Sequence, residues 1–245
     1  MPHYWTAARY SFQPPFTSFG TNDCIAYINK LAYVSSNYCS NQLVISASAG
    51  GYGDTNWYFD YTAPTMGTPA PEQTNDAKYG VLSFDSGASI IYSNTAGPAS
   101  GTAAGHITYG VDVSAFYSRG VHGYFGDTNA GYAINGTIQL SSQSGWYLMQ
   151  TDESYNGQRY AYIDGRGQGN VLTWFSEGAF GGTSHSKTPV GAVSNVNEPG
   201  TTSADPYHYY GFWASGRVFA YCAWNSPNSF GSLCIQAVGD PFTKQ

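Results

Sequence analysis

The sequence predicts an all-β protein, either an antiparallel sandwich or a barrel-like array of hairpins, with one short N-terminal helix. Three observations lead to this class. Among 245 residues there are 22 Tyr, 13 Phe, 6 Trp and 30 Gly, while only 10% of the residues are charged. Aromatic residues favour strands and Gly favours turns, whereas exposed helix surfaces usually carry Glu and Lys. Apolar runs also recur between turn signals at the short spacing of antiparallel sandwiches and barrels.

Residues 1–20 are predicted to form an extended N-terminal arm. Pro14 and Pro15 disfavour a helix there, and the aromatic residues of the arm show no helical periodicity. These aromatic residues are Tyr4, Trp5, Tyr10, Phe12, Phe16 and Phe19. Leaving them in water costs roughly 25 cal/mol per Å² of apolar surface. We therefore expect the arm to cover a surface, on a neighbouring copy or on its own domain.

A helix is predicted over residues 23–35. Either Thr21 or Asn22 can cap its N-terminus, and Asp23 suits the positive end of the helix dipole. Apolar residues then recur at helical spacing, at Ile25, Ile28, Leu31 and Ala32.

The rest of the body, within residues 21–245, is predicted to consist of strands. Single strands are expected at Leu43–Ile45, Trp57–Tyr61, Val171–Phe175 and Leu233–Val238. Hairpins are expected from Val81–Phe84 to Ser89–Tyr92, from Tyr132–Ile134 to Thr137–Leu140, from Trp146–Gln150 to Arg159–Ile163, and from Tyr209–Trp213 to Val218–Trp224. The Pro-rich stretch 62–76 predicts a long loop that separates two lobes.

Charge and hydropathy exclude several classes of partner. The net charge is -6 and the nine Lys and Arg residues are scattered, which argues against nucleic acid and against a polybasic membrane contact. No apolar run is long enough to span a bilayer, and Met1–Trp5 lacks the pattern of a signal peptide. The His and acidic residues lack metal-ligand or paired acid–base spacing. We therefore expect no metal, no cofactor and no catalytic centre.

The four cysteines form two local pairs, Cys24 with Cys39 and Cys222 with Cys234. An even count in a chain rich in Tyr, Gly and Ser suggests two disulfides. Each would close a loop of about 12–15 residues and contribute about 3 kcal/mol in the chain-entropy model. Four buried, unpaired thiols are the alternative in a reducing cytosol.

Cys24 is the one residue that suggests a nucleophile, because the N-terminus of a helix stabilises a thiolate. The stretch Asn22–Tyr27 resembles the Asp-Cys helix start of NlpC- and CHAP-type peptidoglycan hydrolases, and Gly105–Tyr109 resembles their Gly-His strand. The resemblance implies a cysteine hydrolase in which His106 is the general base for Cys24.

A short motif, Phe/Tyr-Gly-Asp-Thr-Asn, occurs twice, at Tyr52–Asn56 and at Phe125–Asn129. It is either a duplicated ligand or calcium loop, or a favoured turn sequence, since Gly, Asp and Asn all tolerate turn conformations.

The C-terminal stretch Tyr209–Asn225, closed by Gly239–Phe242, resembles an aromatic hairpin of structural proteins in tailed bacteriophages. The opening Met1–Thr6 ahead of a short helix resembles the same proteins. This resemblance implies a non-enzymatic virion component of the head–tail, tail or fibre apparatus. Such a component assembles with copies of itself and with other virion proteins.

A secreted carbohydrate-binding β-sandwich module is the alternative function. Exposed Tyr and Trp rings stack on sugar rings as readily as they line protein interfaces. Its location would be extracellular, and its partner would be a glycan such as one on a host surface.

Overall fold

The computed structural model describes residues 21–34, 42–46, 89–93, 109–118, 139–141, 144–151, 155, 157, 171–197, 205–226 and 235–245. Several sequence predictions lie outside these residues. They are the arm 1–20, the loop 62–76, and the strands Trp57–Tyr61, Val81–Phe84, Tyr132–Ile134 and Arg159–Ile163.

The described residues form strands, α-helices and two short 3-10 helices. The strands are β1 (Gln42–Ser46), β2 (Ser89–Ser93), β3 (Tyr109–Val111), β4 (Val113–Ser118), β5 (Gln139–Ser141), β6 (Leu148–Thr151), β7 (Gly191–Asn195) and β8 (Ile235–Gly239). The α-helices are α1 (Thr21–Val34), α2 (Pro206–Ala214) and α3 (Phe219–Asn225), and the 3-10 helices are Val171–Phe175 and Ala179–Gly181. The prediction of a helix over 23–35 is confirmed by α1, and β1, β2 and β8 confirm three predicted strands.

Six strands form one mixed sheet in the order β2-β1-β4-β6-β7-β8, and β3 pairs with β5 in a separate ladder. All neighbours from β2 to β7 are parallel, and β8 alone runs antiparallel, against β7. The described residues are therefore a mixed sheet with helices and not an antiparallel hairpin array. The predicted strand 146–150 exists as β6, but its described neighbours β4 and β7 both run parallel to it.

Both faces of the central strands β4, β6 and β7 are buried, and each face carries its own layer. Successive residues of β4, β6 and β7 point to opposite faces. Phe116, Met149 and Ala192 belong to the cluster under the 3-10 helices, and Ala115, Leu148 and Val193 to the cluster under α2 and α3. A parallel strand that is covered on both sides has no polar face. The short apolar runs of this sequence therefore suited a sheet between two layers better than a hairpin array.

The predicted hairpin from Tyr209 to Trp224 is wrong, because this segment forms α2 and α3. Asp205 accepts a hydrogen bond from the Tyr207 N–H at 2.9 Å and so caps α2, and Pro206 follows in the first turn. Both are favoured helix starts. Gly216, at φ 77, then turns the chain towards α3. The side chains of Tyr209, Tyr210 and Trp213 pack against the sheet, whereas those of Tyr221 and Trp224 are exposed.

The predicted strand Val171–Phe175 is also wrong, because these residues form a 3-10 helix. A five-residue run with four apolar side chains does not by itself separate a strand from a buried helical turn. Trp174 is buried in the cluster on its face of the sheet. A second tight turn follows, in which the Ala179 N–H donates to the Ser176 carbonyl at 3.1 Å.

Candidate functional site

The structure places few of the residues that the sequence singled out. Cys24 lies in the first turn of α1, as predicted from its position at a helix start. His106, Cys39, Cys234 and the six aromatic residues of the arm lie outside the described residues. The pairing of Cys24 with His106, the two disulfides and the contacts of the arm therefore stay predictions.

Cys222 lies on α3, not on the strand of a hairpin. It is a buried, free cysteine whose Sγ donates a weak hydrogen bond to the Arg217 carbonyl at 3.7 Å. Burial raises the pKa of this thiol to about 12. A thiol with so high a pKa is protonated at neutral pH and is a poor nucleophile. The bridge to Cys234 stays a prediction, although its premise of two neighbouring strands is wrong.

Helix α1 is fixed to the sheet where β7 begins and β8 ends. The Tyr27 hydroxyl donates to the Val190 carbonyl at 2.5 Å and accepts from the Asp240 N–H at 2.8 Å. One turn later, Lys30 Nζ donates to the carbonyl of Thr188 and, at 2.9 Å, to its Oγ1. These four hydrogen bonds of Tyr27 and Lys30 anchor α1 to the sheet.

Burial governs the ionisation of both anchor residues. It raises the pKa of Tyr27 above its usual range, so this phenol keeps its proton. It lowers the pKa of Lys30 well below its usual range, and the nearby positive charge of Lys187 lowers it further. The anchor therefore favours an uncharged amine.

The carboxyl ends of the parallel strands form a second candidate site, for ligand binding. In open α/β sheets, ligands bind there, at the point where the order of the strands reverses. Here the reversal lies between β1 and β4, because β2 lies on the far side of β1. Ser46 pairs with Ser93 and with Ser118, and Ser118 pairs with Thr151. Hydroxyl-bearing residues thus occupy one register row on four neighbouring strands.

Near the same edge, Ser194 on β7 is buried, and its Oγ has no hydrogen-bond partner among the described residues. Gly157 lies against it, since a Cβ at Gly157 would lie only 2.6 Å from this oxygen. The Gly157 N–H donates to the Asn195 carbonyl at 2.8 Å and holds the two segments together.

The two copies of the Phe/Tyr-Gly-Asp-Thr-Asn motif follow β1 and β4 in the chain, the two strands between which the strand order reverses. Tyr52 comes six residues after the end of β1, and Phe125 comes seven residues after the end of β4. Both copies lie outside the described residues, so the choice between a ligand loop and a turn stays open. Within the described part of the chain, no three His, Cys, Asp or Glu side chains are grouped as metal ligands would be.

An exposed aromatic surface lies on α2, α3 and the C-terminal segment. We call it the aromatic face and define it by Phe212, Tyr221, Trp224 and Phe242. Three of these are exposed, Tyr221 at 42%, Trp224 at 49% and Phe242 at 80%. The rings of Phe212 and Tyr221 meet edge to face, with their centroids 5.0 Å apart.

Backbone hydrogen bonds bring the parts of the aromatic face together. The Arg217 N–H donates to the Phe212 carbonyl at 3.0 Å and closes the turn between α2 and α3. At the start of α3, the Phe219 and Ala220 N–H groups donate to carbonyls of the C-terminal segment at 2.7 Å and 3.1 Å. Phe242 is thereby held beside the first turn of α3.

Polar groups border the aromatic face. The Arg217 guanidinium lies 5.5 Å from the centre of the Tyr221 ring, within the range of a cation–π contact. His208, whose ring lies 5.6 Å from that of Phe212, places Nδ1 2.6 Å from Asp205 Oδ2. Exposed Tyr and Trp with an adjacent Arg are the residues that most often dominate protein interfaces.

Comparisons with protein-family models, curated proteins and solved structures found no match to this chain. None of the helices in the described ranges is long and apolar enough to cross a membrane.

Proposed function

We propose that this chain is a non-enzymatic structural protein of a phage particle, in its head–tail, tail or fibre apparatus. It acts through contacts with copies of itself and with other virion proteins. The aromatic face is the observation that carries the proposal. Soluble monomers rarely leave large apolar patches in water, and such patches usually mark interaction sites.

The way the aromatic face is held supports a role in assembly. Helix α2 is tied to the sheet from below, because the Tyr210 hydroxyl donates to the Phe116 carbonyl at 2.6 Å and Trp213 Nε1 donates to the Ser114 carbonyl at 3.0 Å. A surface that is already ordered loses little conformational entropy when a partner binds. The helix pair is therefore a preorganised platform.

The test is the assembly state of the full chain. Sedimentation velocity and negative-stain microscopy are expected to show a symmetric oligomer, and Trp224→Ser is expected to weaken it at least about tenfold in dissociation constant. Ile28→Ser is the matched control, because Ile28 is 61% exposed but lies on α1. A wild-type chain that stays monomeric at every concentration would overturn the proposal.

A secreted carbohydrate-binding module is the second candidate, and the exposed rings of Tyr221 and Trp224 favour it. Such a module would be monomeric, and Trp fluorescence would respond to a polysaccharide in the wild type but not in Trp224→Ser. The cysteine hydrolase is the third candidate. It would be recognised by peptidoglycan turnover that disappears in Cys24→Ala.

A further inference from the structure

We propose that the aromatic face receives the N-terminal arm, residues 1–20, of a second copy of this chain. The proposal rests on the proposed function, because it names the partner that the aromatic face binds in the particle. In this proposal, two copies associate by exchanging their N-terminal arms.

The chemistry of the arm fits an aromatic surface. Pro14 and Pro15 lie between Phe12 and Phe16. Prolines favour the polyproline II conformation, which loses little entropy on binding and docks onto grooves lined by Tyr and Trp. The aromatic face presents exposed rings of Tyr221 and Trp224, and Arg217 lies beside Tyr221.

Charge favours the same pairing. The arm contains Arg9 and no Asp or Glu, while the whole chain has a net charge of -6. The arm and the body that it would cover therefore carry opposite charges, which speeds association at low salt. His208 and its partner Asp205 lie beside the aromatic face and provide hydrogen-bonding groups at its border.

The N-terminal arm joins the body at α1, which lies near the aromatic face. The arm ends at α1, and Tyr27 of α1 accepts a hydrogen bond from Asp240, two residues before Phe242. The helix from Thr21 to Tyr27 spans about 9 Å. The 20-residue arm spans up to about 66 Å when extended. Each arm thus starts close to its own aromatic face and is long enough to extend to that of a second copy, so two copies can exchange arms reciprocally.

Photo-crosslinking in the full chain tests the proposal. Phe16 is replaced by benzoylphenylalanine, light and ¹⁵N-labelled chains are mixed while dissociated, and the assembled mixture is irradiated and analysed by mass spectrometry. We expect crosslinks from the arm to residues 205–226 or 240–245, and we expect them to join light chains to heavy chains. In Trp224→Ser and in Phe242→Ser the yield of these mixed crosslinks falls at least about tenfold, as expected for central interface residues. Ile28→Ser retains the wild-type yield.

Three results would overturn the proposal. Crosslinks to the aromatic face that only join atoms of one chain mean that the arm covers its own body. Crosslinks to another region mean that the arm binds elsewhere. An unchanged yield in both face variants, with circular dichroism showing native folding, means that the aromatic face is not the receptor. In each case an intact oligomer leaves the proposed function standing, whereas a monomeric wild type removes the proposed function itself.

Discussion

Lys30 shows how a single side chain can connect ionisation to the position of a whole helix. Its amine is buried, and its hydrogen bonds join α1 to Thr188, just before β7. Thr188 in turn donates from Oγ1 to the His185 carbonyl at 2.9 Å. Among the described residues, the charged groups that act on this anchor include Lys187, which disfavours the charged amine, Asp112, which acts on Lys187, and Asp240, which raises the pKa of Tyr27. The local sequence around Lys30 and Thr188 did not predict this anchor, because the contact joins positions that are far apart in the chain.

The depressed pKa of Lys30 makes the free energy of unfolding depend on pH. The amine keeps its proton up to about pH 10.4 in the unfolded chain but releases it at lower pH in the folded protein. Between these two pKa values the unfolded state binds more protons, so stability rises with pH and is lost as pH falls towards the folded-state pKa. The slope is up to about 1.4 kcal/mol per pH unit.

We expect Lys30→Met to flatten this slope below the unfolded-state pKa of about 10.4. The variant is stabilised relative to the wild type near neutral pH and destabilised near pH 10, where the lost hydrogen bonds are no longer offset. Urea unfolding at several pH values measures the effect, and Lys244→Met, which changes an exposed lysine, is the control. Parallel curves for the wild type and Lys30→Met would show that the amine is charged in the folded protein.

At the scale of the elements, local patterns located α1, β1, β2 and β8 but not the helices that cover the sheet. The β-propensity of Tyr209–Trp213 pointed to a strand. Long-range hydrogen bonds from Tyr210 and Trp213 to sheet carbonyls stabilise the helix instead. The capping pair Asp205-Pro206 was the local signal that could have revealed α2. No local pattern reveals the register row of hydroxyl residues, because it exists only when the strands lie side by side.

The close approach of α3 to the sheet depends on a pair of glycines. Gly191 of β7 and Gly239 of β8 are register partners. A Cβ at Gly191 would lie 2.6 Å from Phe219 Cδ2 and 2.9 Å from Leu148 Cδ2. Gly239 has φ +150, and a Cβ there would lie 2.7 Å from the Val190 carbonyl oxygen. The Phe219 ring therefore rests on backbone.

Gly191→Ala is expected to destabilise the protein by about 1–3 kcal/mol, because the added methyl overpacks the contact between α3 and β7. Phe219→Leu removes ring atoms at the same place. In the double variant the two losses should be less than additive, since the smaller side chain makes room for the methyl group. Urea denaturation of the four proteins gives the coupling energy, and strict additivity would argue against this contact.

At the scale of the molecule, the described residues form three layers. The 3-10 helices cover one face of the sheet, α2 and α3 cover the other, and Tyr27 and Leu31 of α1 pack against one cluster each. The sequence predicted an all-β protein with an N-terminal helix, and the described residues contain a sheet and α1 but also helices α2 and α3. It did not predict parallel pairing, because strand direction depends on crossovers rather than on residue patterns. Exposure of the aromatic face likewise follows from the packing of α2 and α3.

The N-terminal arm is expected to be required for assembly but not for the folding of the body. Deleting residues 2–19 is expected to leave the far-ultraviolet circular dichroism of the body nearly unchanged, because the α1 anchor at Tyr27 and Lys30 remains in place. On the proposed exchange of arms, the same deletion should abolish assembly, because it removes the segment that would bind the aromatic face. A chain that keeps the length of the arm but carries Ser at its six aromatic positions is the control, and it should fail to assemble as well. A truncated chain that still forms the oligomer, or one that unfolds outright, would show that the arm does not join the copies.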